Sequence, residues 1–241
     1  MKKIISLVLI TLMIFGSTNI VLASDFNNYS KLSDHQLIEL AEKGQVIKND
    51  TIEVVKVNPN EGTIINVEGI IPKDIKIYTI KEKKGSINKT INREQIPTDI
   101  YEIRTIAIVA AGGEDSYYDS DPGGRVVATS IVGYESYTYN TFKHAKGTYY
   151  GGYVNSLENS ITIKEIKGAY NEFGSWRNPD GATGFSLGWD TSKIFNLAKC
   201  FTRQTQSISR TNYFKCDGGI TGSIRSNFTV TAQRGTATFS F

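Results

Sequence analysis

Histidine and cysteine are both scarce in this sequence, which contains two of each in 241 residues. His35 and His144 are far apart, and neither has a cysteine or a second histidine at zinc-ligand spacing. A serine hydrolase would need one of these histidines, and no Gly-x-Ser-x-Gly motif accompanies them. We therefore expect both histidines to lie on the solvated surface, and the sequence favours neither a zinc site nor a catalytic triad.

Long apolar runs are absent after residue 22, so no later stretch is long enough to span a bilayer. At the start of the chain, two lysines precede an apolar run over residues 4–22, and Ala23 supplies a small residue for cleavage. This pattern predicts a secretory signal peptide over residues 1–23, with a membrane anchor as the alternative. We expect a secreted, extracellular protein that has no transmembrane segment after removal of the signal peptide.

Phosphate-binding loops and redox motifs are missing as well. The Gly-Gly pairs lie in turn-like stretches with no helix after them, so they do not form a nucleotide-binding loop. The two cysteines lack the Cys-x-x-Cys spacing of thiol oxidoreductases. No nucleic-acid-binding motif is present either, and we expect no specific nucleic-acid partner.

Proline is rare, with 5 residues, whereas glycine with 22 and tyrosine with 13 are abundant. This composition, together with apolar residues that alternate with polar ones, is typical of secreted β-rich proteins. The sequence predicts a mainly β fold in two parts. An antiparallel β-sandwich-like C-terminal domain, residues 125–241, follows a small acidic α+β region, residues 24–111, with one short helix.

The helix signal lies near the start of the predicted mature chain. Ser33 is a good N-cap, Gln36 can complete a capping box, and Leu32 and Leu37 can form a hydrophobic staple. Gly44 is a natural helix stop. After the helix, the alternation changes to a period of two. It predicts strands at 51–57, 63–68, 73–80 and 100–111, with a polar loop at 81–96.

The segment 112–124 (GGEDSYYDSDPGG) has the composition of a linker or long loop. The charge balance changes sign here: residues 24–121 carry 12 Lys and Arg against 17 Asp and Glu, or −5, and residues 122–241 carry 13 against 7, or +6. We place a domain boundary at this segment, with a long loop within one sandwich as the alternative. Three of its acids could give oxygen ligands to Ca²⁺, although their spacing is not that of an EF-hand; they are Asp115, Asp119 and Asp121.

The clearest strand pattern is at the C-terminal end of the sequence. In residues 220–233, the odd positions are all polar and most even positions are apolar, which predicts one wet face and one buried face. A turn at 233–235 leads to a second alternating stretch over 236–241. Together with the strands predicted before it, this hairpin favours an antiparallel sandwich.

Cys200 and Cys216 are predicted to form one disulfide, because an even cysteine count in an exported chain favours pairing. The bond would close a loop of about 15 residues and stabilise the fold by roughly 3 kcal/mol. The enclosed segment is too polar for a core strand, so we expect an edge hairpin or a long surface loop. Either a structural crosslink or a presented binding loop fits this arrangement.

Aromatic and basic residues of the C-terminal part are the candidate ligand-binding residues. Tyr137 and Tyr139 share one face of their strand, and Tyr149 and Tyr153 share one face of the next. Exposed aromatic rings can stack on sugar rings, although tyrosines also pack well within sheets. The predicted ligand-binding residues are Tyr137, Tyr139, Tyr149, Tyr153, Trp176, Trp189, Arg203 and Arg210.

The acids of the strand-rich half could supply a glycosidase with its two carboxylates, but sequence spacing does not show which of them face each other. The candidates are Glu135, Glu158, Glu165, Glu172, Asp180 and Asp190. We expect a secreted binding protein rather than an enzyme, with no obligatory cofactor, that recognises a cell-envelope polysaccharide or an anionic lipid surface. A membrane-active toxin masked by its N-terminal region is the first alternative, and a cell-wall or glycan hydrolase is the second.

Overall fold

The structure is a computed structural model. It describes residues 29–45, 47–57, 67–68, 74–110, 125–156, 161–177, 183–209, 213–215, 223–234 and 237–240. These residues form mainly antiparallel β-structure with one N-terminal α-helix, which confirms the predicted fold class. Residues 1–23, the predicted signal peptide, and 112–124, the predicted linker, lie outside the described part.

The helix α1, Asp34–Glu42, begins as its sequence predicts. The Gln36 amide donates to Ser33 Oγ at 3.3 Å, and the Ser33 amide donates to Gln36 Oε1 at 2.9 Å, which completes the capping box. Gly44 has a φ of +78°, a left-handed conformation that suits glycine after a helix end. Leu37 is fully buried and attaches the helix to the sheet.

Thirteen strands follow one another along the described chain. They are β1 Ile47–Lys48, β2 Ile52–Val57, β3 Val67–Glu68, β4 Asp74–Ile91, β5 Glu94–Ala110, β6 Arg125–Tyr139, β7 Phe142–Ser156, β8 Ile161–Arg177, β9 Thr183–Ile194, β10 Gln204–Ser207, β11 Phe214–Lys215, β12 Ser223–Arg234 and β13 Ala237–Ser240. Their hydrogen-bonded order is β1-β2-β4-β5-β6-β7-β11-β8-β12-β13-β3, with β10 on the edge of β7 and β9 on the edge of β8.

Two long hairpins dominate the first layer, β4 with β5 and β6 with β7. Both have two-residue turns at positive φ, 50° and 68° at Asn92 and Arg93 and 47° and 68° at Asn140 and Thr141, as in type I′ turns. The predicted loop over 81–96 is therefore wrong: β4 runs on to the turn. Its polar side chains are tolerated because pairing with β5 satisfies the backbone.

The second layer is formed by β8 and β12 with their neighbours β9 and β13. The two layers meet where β6 and β7 face β8 and β12. Val230 and Ala232 of β12 are fully buried, as the predicted alternation requires. They pack with apolar side chains from the other three strands and from the segment after β9. This core contains Val126, Ala128, Val154, Ile161, Ile166, Phe195, Cys200, Val230 and Ala232.

A second core lies on the opposite face of β6, under α1. Leu37 packs there with Ile52, Ile80, Ile106 and Val127. Residues 99–110 of β5 pair with 125–136 of β6, so the front and back parts of the chain share one sheet. The domain boundary predicted at 112–124 stays a prediction, because that segment lies outside the described residues.

Candidate functional site

The four predicted ligand-binding tyrosines lie on one face of β6 and β7, because Tyr149 pairs with Gly133 and Tyr153 with Thr129. We call this surface the tyrosine face; its tyrosines are Tyr137, Tyr139, Tyr149 and Tyr153. It is also the face on which α1 packs, since Val127 shares its parity along β6. The prediction that each pair shares one face of its strand is confirmed.

Tyr137 is buried, with 3% of its surface exposed, and its ring stacks on His144 at a centroid distance of 4.8 Å. The edge of a third ring, Tyr213, approaches at 4.9 Å. Burial raises the pKa of Tyr137 to about 12. His144 is also buried, because the ring of Tyr137 covers it, so the predicted solvated position of His144 is wrong. His35 is exposed, as predicted.

The other three tyrosines are half-buried and hydrogen-bonded within the protein. Tyr149 donates to Glu102 Oε2 at 2.6 Å, and Tyr153 donates to Asp34 Oδ2 at 3.5 Å. Tyr139 accepts from the Asn92 side chain at 3.2 Å. The tyrosine face is therefore occupied by internal contacts rather than arranged as an open stacking platform.

A charged network, the Glu102 network, crosses the middle of this face. Glu82 of β4 and Glu102 of β5 are directly opposite in the register, where two like charges repel. Arg104 relieves this repulsion, since its Nη1 donates to Glu82 Oε2 at 2.7 Å and to Glu102 Oε1 at 3.0 Å. Arg203 pairs with Glu102 from the segment before β10, and Tyr149 donates to the same carboxylate. The network thus joins three strands, β4, β5 and β7, to the segment before β10.

Glu102 is held ionised by these partners. Burial by itself would raise its pKa, but hydrogen bonds from Arg203, Tyr149 and Arg104 outweigh burial and lower the pKa to about 2. Arg203, a predicted ligand-binding residue, retains 46% of its side-chain exposure although its guanidinium is paired with Glu102. The arrangement suits a structural clamp, because a carboxylate with so low a pKa does not act as a general acid near neutral pH.

A second charged group, the Glu135 cluster, lies further along the same face. Glu135 Oε2 accepts from Lys89 and, at 2.5 Å, from the hydroxyl of Tyr213, and Lys146 lies 3.5 Å away. Burial raises the pKa of Glu135, but Lys89 and Tyr213 more than offset this, and the net direction is downward. Burial and the bond to Glu135 raise the pKa of Tyr213. Glu135 is thus an ionised acceptor between two ammonium groups.

Cys200 is buried and is a free thiol in the structure, so the predicted disulfide with Cys216 is not supported. The Cys200 carbonyl accepts from the Val154 amide at 2.8 Å, whereas Lys215 pairs with His144 near the other end of β7. Val154 and His144 are ten residues apart, roughly 33 Å along a strand, so Cys200 and Lys215 contact opposite ends of β7. Burial raises the pKa of the Cys200 thiol. Cys216 itself lies outside the described residues.

Other predicted site residues fall outside the described part of the chain, or only their backbone is described. Trp176 pairs with Gly184 on β9, and Trp189 pairs with Glu172 on β8, but their side chains are not described. The residues outside are Arg210, Asp115, Asp119, Asp121, Glu158 and Asp180. Where side chains are described, no group of three or more His, Cys, Asp or Glu is positioned to hold a metal ion. The helices described here include none with the length and apolar character to cross a membrane.

A groove of about 730 Å³ lies among the described residues on the exposed face of β8, β9 and β12. Ala169 of β8 forms its floor, between Ser192 of β9 and Asn227 of β12 in the register. Asn171 pairs with Asp190 and extends the groove along β8 and β9. The lining residues are Lys167, Ala169, Tyr170, Asn171, Asp190, Thr191, Ser192 and Asn227.

Local sequence patterns do not reveal this groove; of its lining residues, the sequence singles out Asp190 alone, as a candidate catalytic acid. The odd-numbered polar face of β12 did place Asn227 on the wet side. The pairing of Asn227 with Ala169, and of Ala169 with Ser192, depends on long-range register that no local pattern contains.

The chain matches no protein-family model, no curated protein and no solved structure at a significant level.

Proposed function

We propose that the chain is an exported, non-enzymatic binding protein that recognises a neutral, hydroxyl-rich polysaccharide of a cell envelope. The site is the groove on β8, β9 and β12, and the observation that carries the proposal is its lining. The export signal expected at residues 1–23 provides the route to an extracellular location.

The groove offers hydrogen-bond donors and acceptors side by side. Asn171 and Asn227 each present an amide that both donates and accepts, Asp190 accepts and Lys167 donates. Sugar hydroxyls do both as well, so this lining complements a glycan. The negative charge of Asp190 and the positive charge of Lys167 cancel, so the lining has no net charge, which favours a neutral polymer over a polyanion. Its volume of about 730 Å³ lies within the range of small-ligand sites.

The small residues at the centre make the groove accessible to a flat ring. Ala169 and Ser192 have short side chains, whereas the longer Asn227 stands beside Ala169 on β12 and Asn171 follows Ala169 along β8. The described side chains of the lining contain no exposed aromatic platform, so we expect affinity to come from several hydrogen bonds. Contacts of this kind give modest affinity per site.

A binding role rather than catalysis is supported by the carboxylates. A glycosidase needs one carboxylic acid with a raised pKa. Every described carboxylate with a shifted pKa has that pKa lowered, because each one accepts hydrogen bonds or faces a cation. These are Glu42, Glu53, Glu82, Asp99, Glu102 and Glu135.

Co-sedimentation with purified cell walls, before and after removal of their anionic polymers, tests the proposal. We use the chain from Ser24, which contains every residue that the structure describes. Binding is expected to persist on the neutral walls, and Asn171→Ala and Asn227→Ala should each weaken it about fivefold, the value of one hydrogen bond. Asn88→Ala, an exposed asparagine on β4, is the matched control.

The proposal fails if the chain does not sediment with neutral walls, or if removal of the anionic polymers abolishes binding. It also fails if Asn88→Ala weakens binding as much as the groove variants do, because the effect would then not depend on the groove.

A further inference from the structure

Exposed apolar side chains are concentrated in one short segment. Of the five large apolar side chains that are exposed among the described residues, three lie within eight consecutive residues. They are Ile194, Leu197 and Phe201, with 64%, 40% and 57% of their surfaces exposed. Single exposed apolar residues are ordinary, whereas contiguous exposed apolar patches are typical of interaction sites, and these three residues are the candidates for such a patch. We call these three residues the apolar tip.

The backbone of the apolar tip is anchored in the core. Phe195 and Cys200 are buried between the two layers, next to the exposed residues on either side. The Phe195 amide donates to Ile166 O at 2.9 Å, and the Cys200 carbonyl accepts from the Val154 amide at 2.8 Å. The exposed side chains thus belong to a segment that the fold holds in place at two points.

A side chain from β10 fixes the turn between these anchors. Gln204 Oε1 accepts from the Asn196 amide at 3.0 Å, and Gln204 Nε2 donates to the carbonyls of Asn196 and Lys199 at 3.1 Å each. Asn196 caps the 3-10 turn Leu197–Lys199 through a bond to the Ala198 amide at 2.9 Å. Because the conformation is fixed beforehand, docking of the apolar tip requires little ordering.

Lysines border the apolar tip. Lys167 lies opposite Ile194 in the register, and Lys199 stands between Leu197 and Phe201 in the sequence. Both lysines are exposed, and residues 193–203 contain no acid. An apolar centre with an ammonium border complements a surface that is apolar inside and anionic outside, which is the arrangement at the interface of an anionic bilayer.

We propose that the apolar tip docks on a lipid bilayer with anionic headgroups. Ile194, Leu197 and Phe201 enter the interfacial region, while Lys167 and Lys199 contact lipid phosphates. This site shares Lys167 with the groove, but it does not depend on the proposed glycan recognition, because Ile194, Leu197, Phe201 and Lys199 are not part of the groove lining.

The experiment is vesicle co-sedimentation of the chain from Ser24, with phosphatidylcholine vesicles that contain or lack phosphatidylglycerol. We expect binding only to the anionic vesicles, and a decrease as salt is raised. Phe201→Ser should weaken binding about tenfold, because it removes the largest side chain of the tip. Ile87→Ser is the matched apolar control, since Ile87 is 41% exposed on β4, away from the tip. Lys199→Glu should also weaken binding to the anionic vesicles, and Lys43→Glu is its matched charge control.

Several results would overturn the proposal. One is the absence of binding to anionic vesicles, and another is an equal loss in Ile87→Ser and Phe201→Ser. A third is a concentration-dependent dimer that Phe201→Ser dissociates without any vesicle binding, because the occupant would then be a second copy of the chain. Thermal unfolding of each variant identifies misfolding, and Phe201→Leu, which keeps an apolar side chain, should retain most of the binding.

Discussion

Removal of the Glu102 charge should destabilise the fold more than removal of any exposed carboxylate. Glu102 is 1% exposed and accepts from two arginines and a tyrosine. Lowering of its pKa from 4.5 to about 2 corresponds to roughly 3 kcal/mol in favour of the ionised folded state. Because Arg203 is 46% exposed, solvent screens part of this contribution, and we expect Glu102→Gln to cost about 2 kcal/mol at neutral pH.

Urea unfolding as a function of pH measures this effect. The folded-state pKa of Glu102 is lowered, so its contribution is fully present above pH 4.5 and is lost as pH falls from 4.5 towards about 2. The difference between wild type and Glu102→Gln should therefore shrink across that window. Glu39→Gln is the control, because Glu39 is 57% exposed and 3.9 Å from Lys43, a pair worth less than about 0.5 kcal/mol.

The stabilising role of the Glu102 network is refuted if Glu102→Gln unfolds at the same urea concentration as Glu39→Gln. It is also refuted if the stability difference stays constant from neutral pH to pH 2, because a lowered carboxylate pKa requires that difference to depend on pH.

Two further predictions concern the helix and the cysteines. Ser33→Ala should lower the free energy of unfolding by about 1 kcal/mol, because it removes the N-cap. Ser30→Ala, at an exposed position, should change it little. An equal effect of the two substitutions in chemical denaturation would contradict the capping role of Ser33. In a thiol titration of the unreduced chain, denaturant should reveal two free thiols, with Cys200 protected before unfolding; a titre of zero would instead support the disulfide predicted from the sequence.

Local signals predicted the parts of the fold that depend on local interactions. The capping box of Ser33 and Gln36 is formed by neighbouring residues, and the alternation over 220–233 defines a buried face without knowledge of its partner. The loop predicted at 81–96 failed because β4 is sustained by its pairing with β5 and by the turn at Asn92-Arg93. The polar composition there did not reveal that pairing.

The sites were less predictable because they depend on residues far apart in the chain. The shared face of Tyr137 and Tyr139 followed from parity, but the ring of Tyr213 that helps bury Tyr137 comes from a distant segment. In the same way, Glu102 meets Arg203 only after the segment before β10 folds back against β7. The groove also requires the register of three strands.

Filling the groove with a long side chain tests whether the groove binds the glycan. Ala169→Arg places a long side chain on its floor, while Thr162→Arg places the same side chain elsewhere on the exposed face of β8. Binding to cell walls freed of anionic polymers is then measured by co-sedimentation. If the groove holds the glycan, Ala169→Arg abolishes binding and Thr162→Arg leaves it intact. Unchanged binding by a folded Ala169→Arg variant would show that the glycan does not bind there.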